Sequence, residues 1–192
     1  ARYRKRDNRR YGKSSIIMIA NLIPYKNHRM VLYALNIIKE KLPKDWFIYF
    51  IGRDDGIRKD LVSLAEKLEI RKNTLFIHTE DIHSILPDMS MGILCSEEES
   101  FPNAILEYFS HKVPVISSDV GGCKEIVKNK KNGLLVSKND SLELSKAILY
   151  LYKNKNKAKK FANEGFRTVK NKFSLKKTIN EHEKEYLKCL RS

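Results

Sequence analysis

Three short phosphate- and metal-binding signatures are missing from the sequence: Asp-x-Asp, G-x-x-x-x-G-K-[ST] and G-x-G-x-x-G. Without the first, there is no carboxylate pair of the usual spacing to hold a divalent cation on a diphosphate. Without the second a P-loop ATPase is excluded, and without the third a nicotinamide enzyme lacks its phosphate-binding turn. Cysteine is sparse: Cys95, Cys123 and Cys189 are odd in number, far apart and form no C-x-x-C. That excludes a disulfide framework and a zinc ribbon, and it leaves the thiols as small buried or surface groups of a chain kept in a reducing cytoplasm. The five histidines form no metal set, because His78 and His83 share neither a helix face nor a strand face. No apolar run approaches the roughly 18–20 residues of a membrane span. The basic N-terminus has no apolar stretch of the kind a signal peptide needs. Acids are in the minority, 23 against 38 Lys and Arg, for a net charge of +15. They are absent from Ala20-Asn21-Leu22, where a response-regulator receiver would carry them.

What is present is enough for one ordinary domain with a packed core: 192 residues, 42% of them hydrophobic. The positive excess favours anionic partners such as nucleotides, phosphates, nucleic acid or an anionic membrane surface. Ala1 in place of Met suggests a piece of a longer chain. Residues 1–13 hold seven bases and one acid and read as a linker or surface arm. Short continuous apolar runs follow at 14–20, 46–52, 74–78, 91–95, 113–118 and 133–136, the pattern of strands buried on both faces. Between them, helical spacing predicts helices over 28–42 (capped by Asn27), 57–69, 81–89 and 102–112, with a short helix after Gly121-Gly122. Helices over 140–153, 156–170 and 174–190 close the chain, the last with Ser174 as a cap. The alternation predicts an α/β domain over 14–173, a Rossmann-like parallel sheet with helices on both faces, followed by a helical C-terminus over 174–192. In such sheets ligands sit at the carboxyl ends of the strands, here "ANLIPYK", "GRDDG", "HTED", "SEEESFPN" and "SSDVGG".

"SEEESFPNAILE", residues 96–107, is the most informative of these ends. Pro102 suits the first turn of a helix, and the N–H groups of Asn103, Ala104 and Ile105 then lack intrahelical partners. Together with the positive end of the helix dipole they would accept a phosphate. Carboxylates packed at that same end would partly cancel it, so some of Glu97, Glu98 and Glu99 must face hydroxyls or solvent. Glu107 lies further along the helix, in reach of a group attached beyond the phosphate. Taken alone, the acidic run also reads as a solvated surface, and Glu107 as an ordinary helix glutamate.

The order of these elements favours the site over the solvated surface by resemblance. "ESFPNAILE" fits the E-x₇-E pattern of retaining glycosyltransferases of the GT-B fold, group 1 or family 4, and "SHKVPVISSDVGGCKEIVKNKKNGLLV" resembles the run that follows it in that family. The likeness spans about residues 16–173 and implies the C-terminal, donor-binding half of a GT-B enzyme. By that resemblance Glu107 holds ribose hydroxyls of a nucleotide-sugar, with UDP-hexose the default. Glu99 contacts the transferred sugar near its anomeric carbon, and Lys26 binds the diphosphate and stabilises it as it leaves. Backbone groups around Phe101, Pro102, Asn103 and Ala104 face sugar and diphosphate. Gly52, Arg53, His78 and Thr79 lie near the base. Asn21 stands where many relatives carry an arginine, so Arg53 is the candidate to supply the missing charge. The resemblance implies no metal and no cofactor. It implies an acceptor, glycan or lipid-linked, bound by an N-terminal domain that precedes residue 1, a cytoplasmic enzyme peripheral at the inner face of the membrane, and no specific nucleic acid. Two other readings stay open at this point: a GT-B epimerase or phosphorylase, and a basic nucleic-acid-binding module, although no base-stacking motif is visible.

Overall fold

A computed structural model of the chain describes residues 14–79 and 81–173. The arm at 1–13 and the helix predicted over 174–190 lie outside the described residues. Six parallel strands form one sheet in the order β3-β2-β1-β4-β5-β6. They are β1 (Ser15–Ile19), β2 (Phe47–Ile51), β3 (Thr74–Ile77), β4 (Met91–Leu94), β5 (Val115–Ser118) and β6 (Leu134–Val136). Each falls inside one of the apolar runs. Among the described residues six α-helices connect and cover them: α1 (His28–Ile38), α2 (Arg58–Lys67), α3 (Asn103–Ser110), α4 (Gly121–Ile126), α5 (Ser141–Lys153) and α6 (Lys155–Lys172).

The two-residue period of the strands divides the core. Ile16, Met18, Ile48 and Phe50 pack with Val31 and Leu35 of α1, Leu61 of α2 and Ile148 of α5. Ile17, Tyr49 and Ile51 face the other side, with Ile105 and Phe109 of α3 and Ile126 of α4. Asn27 caps α1 as expected, in the left-handed conformation (φ 57°), with its side-chain oxygen accepting the Met30 N–H at 3.3 Å. The helix ends at Ile38 rather than 42, and a 3₁₀ turn, Lys39–Lys41, leads to Pro43. The helix predicted over 81–89 does not form. Asp81 accepts the Ser84 N–H and Ser84 donates back to the Asp81 carbonyl, which holds a turn, and Pro87 sits within a 3₁₀ turn over Leu86–Asp88.

The strand order reverses direction at β1, between β2 and β4. There β1 and β4 pair only through Ile16–Met91 and Ile17–Gly92, and beyond that point they part. Tyr108 of α3 fills the gap. Its hydroxyl accepts the Ile19 N–H at 2.7 Å and donates to the Ile93 carbonyl at 3.3 Å, satisfying two backbone groups that the splayed strands leave free. Gly92 makes room for the ring, because a Cβ there would lie 2.5 Å from it. Tyr108→Phe keeps the packing and strands the partly buried Ile19 N–H. It is expected to cost about 1–3 kcal/mol in urea denaturation at neutral pH.

Candidate functional site

The parting of β1 and β4 opens a cleft of about 340 Å³ at the carboxyl end of the sheet. Asn21, Lys26, Glu99, Phe101, Pro102, Asn103, Ala104 and Glu107 line it. A second cleft of about 380 Å³ adjoins it through Ile19, Ala20 and Asn21, and is lined by Gly52, Arg53, His78 and Thr79. The two clefts together bring every sequence-predicted site residue onto one rim, at the position where doubly wound sheets bind ligands. Another cavity, about 580 Å³ and mostly apolar, lies at the opposite ends of β4 and β5, around Met91, Pro114, Leu151 and Ala162. It holds none of the predicted residues.

At the centre of the first cleft Lys26 and Glu99 face each other, Nζ to Oε2 at 2.5 Å. The loop after β1 carries the lysine over the Tyr25 ring, 5.1 Å from its centroid. Tyr25 also accepts the Glu97 N–H on its carbonyl at 2.8 Å, tying the two loops together. Ser96 donates a second hydrogen bond to the same Glu99 oxygen at 3.1 Å. Among the described residues both contacts fall on Oε2, so Oε1 keeps its lone pairs for a ligand hydroxyl.

Gly121 and Gly122 hold the Glu99 loop from behind. A Cβ on Gly121 would lie 2.2 Å from the Glu99 carbonyl oxygen, and one on Gly122 2.1 Å from that of Ser100. The Gly122 N–H donates to the Glu99 carbonyl at 2.7 Å. The pair therefore does more than turn the backbone: only hydrogen side chains allow α4 to approach so closely. Gly52 plays the same part at the other cleft, where a Cβ would meet the Ala20 carbonyl at 2.1 Å. Glu97 and Glu98 are exposed and turn away, into an acidic cleft with Asp119 and Glu125.

Three expectations need correction. Pro102 occupies the N-cap position of α3 (φ −83°, ψ 78°) instead of its first turn. Of the three N–H groups expected to be free there, that of Asn103 donates to the Phe101 carbonyl and that of Ile105 to the Pro102 carbonyl, both at 3.0 Å. The Ala104 N–H alone keeps the predicted freedom among the described residues, so the anion site at this helix is narrower than the sequence suggests. Arg53 is not a free cation either. It grips Asp55 through Nε at 2.7 Å and Nη2 at 3.2 Å. That contact pushes the Asp55 carboxyl below its ordinary range and the Arg53 guanidinium further up. Asn21 uses its side-chain oxygen to accept the Arg53 N–H at 3.2 Å, which leaves its amide nitrogen as the donor on the rim.

Glu107 is half-buried, and burial pushes its carboxyl above the ordinary value while His83 and His111 pull it back. Phe101 is half-exposed and meets Phe173 edge-on at 6.3 Å. Cys95 and Cys123 are buried and unpaired, and burial pushes both thiols up, away from reactivity. Among the described residues no cluster of His, Cys, Asp or Glu could hold a metal ion, and no helix is long and apolar enough to cross a membrane. The sequence reading missed Tyr108, Ser96, Tyr25 and the His83–His111 pair. None carries a spacing signal, since each acts through contacts that only the folded sheet creates.

Comparison with known proteins gives this rim a family. The sequence model of the glycosyl transferases group 1 matches residues 1–168. The chain is 26% identical over 181 residues to EpsD of Bacillus subtilis, covering 93% of this chain and 47% of that protein. It is 26% identical over 132 residues to the N-acetyl-alpha-D-glucosaminyl L-malate synthase of Bacillus anthracis, covering 68% and 35%. The chain thus spans about half or less of the curated relatives it matches. Among solved structures, Anabaena HepE in complex with UDP superimposes with a TM-score of 0.84 at 22% identity, over 93% of this chain and 50% of that one. The C-terminal domain of the group 1 glycosyl transferase LpcC from Francisella tularensis gives a TM-score of 0.78 at 23% identity, over 85% and 88%. These likenesses establish the fold as that of GT-B C-terminal domains. The rim built at the switch point of this sheet is therefore that of a glycosyltransferase domain: the chain belongs to the glycosyl transferases group 1.

Proposed function

We propose that this chain is the donor-binding half of a retaining, family 4 type glycosyltransferase that takes a nucleotide-diphosphate sugar, with UDP-hexose as the default donor. The observation that carries the reading is the facing pair Lys26–Glu99 in a cleft that also contains Glu107. A diphosphate entering the cleft draws Lys26 from Glu99 to its own oxygens. As the bond from the sugar carbon to the diphosphate breaks, its electron pair moves onto phosphate oxygen, where the ammonium meets the growing charge. Glu99, released, accepts hydroxyls of the sugar. Glu107 accepts the ribose hydroxyls, and the base lies in the adjoining cleft by Gly52, Arg53, His78 and Thr79. The nucleotide-sugar is the substrate, and the reading includes neither a metal nor a cofactor. HepE, whose solved complex holds UDP, supports the choice of base.

In the whole enzyme an N-terminal domain would bring the acceptor, a glycan or a lipid-linked sugar, against the donor, at the inner face of the membrane. Transfer needs the acceptor hydroxyl aligned on the anomeric carbon, so this chain by itself is expected to bind donor without transferring it. A thermal-shift titration with UDP, GDP, ADP and CMP tests the reading. A nucleotide at about 100 times its Kd should stabilise the chain by roughly 2.7 kcal/mol. One nucleoside diphosphate is expected to do so, and Glu107→Ala to abolish most of the shift. Equal shifts in the native chain and in Glu107→Ala would remove Glu107 from the ribose site.

A further inference from the structure

The residue after Lys26 reaches out of its own loop. Asn27 and Asn139 are 112 positions apart, and the fold brings their side chains to 2.5 Å, amide nitrogen to amide oxygen. The chain fixes which end faces which. The Met30 N–H only donates, so the Asn27 side-chain oxygen faces it, at 3.3 Å. The Asn27 amide nitrogen is then the donor to Asn139, which accepts on its oxygen. Both residues stand in the left-handed region, at φ 57° and φ 62°. Asparagine is among the few residues besides glycine that adopt that conformation readily, and it carries a side chain to bond with.

Asn139 stands on a braced loop, between β6 and α5. The Asp140 N–H donates to the Ser137 carbonyl at 3.3 Å, Glu143 accepts the Ser137 N–H at 2.7 Å, and Asp140 accepts the Glu143 N–H at 2.8 Å. Side chains of this kind reaching both ways stiffen a helix start. Asn27 closes the 3₁₀ turn Pro24–Lys26, its N–H donating to the Pro24 carbonyl at 2.9 Å. Lys26 thus sits between two tethers: Tyr25, which accepts the Glu97 N–H, and Asn27, which donates to Asn139. A further contact, the Lys26–Glu99 pair, ties the same loop. The proposed function dissolves that pair, because the lysine turns to the diphosphate. The two tethers stay, and they hold the backbone from which the ammonium reaches.

We propose that Asn139 is a positioning residue for Lys26: through the Asn27 amide it fixes the loop after β1 where the ammonium meets the diphosphate once it has left Glu99. The proposal rests on Lys26 being the diphosphate ligand. Asn139 lines neither cleft and acts through Asn27, not on the nucleotide.

The test is calorimetric titration of the full chain with UDP and with uridine, in the native protein, Asn139→Gly, Asn139→Asp, Lys26→Met and Lys26→Met/Asn139→Gly. Asn139 is exposed and glycine takes its φ without strain, so Asn139→Gly is expected to fold and to lose only the bond to Asn27. It is expected to bind UDP about fivefold more weakly, the worth of one neutral hydrogen bond, and to bind uridine as the native chain does. Asn139→Asp keeps an acceptor for the Asn27 amide and a residue at home in the left-handed region, and is expected to bind UDP as the native chain does. In the Lys26→Met background the glycine substitution is expected to change nothing further. Native-like UDP affinity in Asn139→Gly overturns the proposal. So does a loss that uridine or Asn139→Asp shares, or one that persists undiminished in the Lys26→Met background. Lys26→Met judges the underlying reading separately: native-like UDP affinity there would mean that Lys26 does not hold the diphosphate, and Asn139 would have nothing to position.

Discussion

Between about pH 6.5 and pH 4 this domain is expected to lose on the order of 3 kcal/mol of stability through one side chain, His28. The residue opens α1 directly behind the Lys26 loop and is 1% exposed. Its ring meets Phe50 edge-on at 5.2 Å, and neither ring nitrogen has a hydrogen-bond partner among the described residues. Burial is the main cause that lowers its pKa from 6.5 to about 4. The Ala20 carbonyl, near the ring but outside hydrogen-bond geometry, works against the shift, and the charge of Lys26 adds to it. The unfolded chain therefore takes its proton near 6.5, while the folded one resists until about 4. Through that window the unfolded state binds more protons, so stability falls as pH falls, and it is level above the window. Urea denaturation of the native chain and of His28→Leu at several pH values measures the effect. The variant is expected to keep its stability where the native chain loses it, and to equal or exceed the native chain near neutrality, since two desolvated nitrogens are removed. Parallel pH curves for the two proteins would show that His28 stays neutral in both states or finds a partner. A total stability of about 5–15 kcal/mol makes a loss of this size large, and it falls on the loop that carries Lys26.

The strands were legible because a parallel sheet covered on both faces needs continuous apolar runs, and nothing else in the chain imitates "SSIIMIA" or "WFIYFIG". Helix ends were less so. Over 81–89 the apolar spacing of Ile82, Ile85 and Leu86 is helical, yet Asp81, Ser84 and Pro87 each offer the backbone something other than a helix, and they prevail. The rim could be found from the sequence because the strand ends hold the punctuation, and the resemblance then assigned its residues. Interactions across the sheet were not readable. Tyr108 looks like any core aromatic until β1 and β4 part and leave Ile19 and Ile93 without partners. His83 and His111 are 28 residues apart and become neighbours only when α3 packs beside the β3–β4 connection. Arg53 seemed a spare cation in "GRDDG", where a carboxylate two residues on turns out to hold it.

Lys26→Met is expected to weaken UDP binding about a hundredfold while leaving uridine binding nearly unchanged. A hundredfold is about 2.7 kcal/mol, the range of a charge-assisted hydrogen bond to phosphate. Uridine lacks the phosphates and so does not sense the ammonium. The loss should be steep because Asn21 contributes no charge and Arg53 is held by Asp55, so among the described residues Lys26 is the one cation that lines the first cleft. Arg53→Met should accordingly cost little. The substitution has a structural side effect, since it leaves Glu99, with only 13% of its side chain exposed, facing an apolar chain. Part of any loss could then reflect a displaced loop. The double variant Lys26→Met/Glu99→Gln separates the two contributions, because it removes the stranded charge and should recover stability without recovering UDP affinity. If the double variant binds UDP as the native chain does, the ammonium does not meet the diphosphate, and the pair is an internal strut of the two loops. If Lys26→Met and Arg53→Met lose affinity equally, the phosphates lie nearer the second cleft, and the assignment of base and diphosphate along the rim must be reversed.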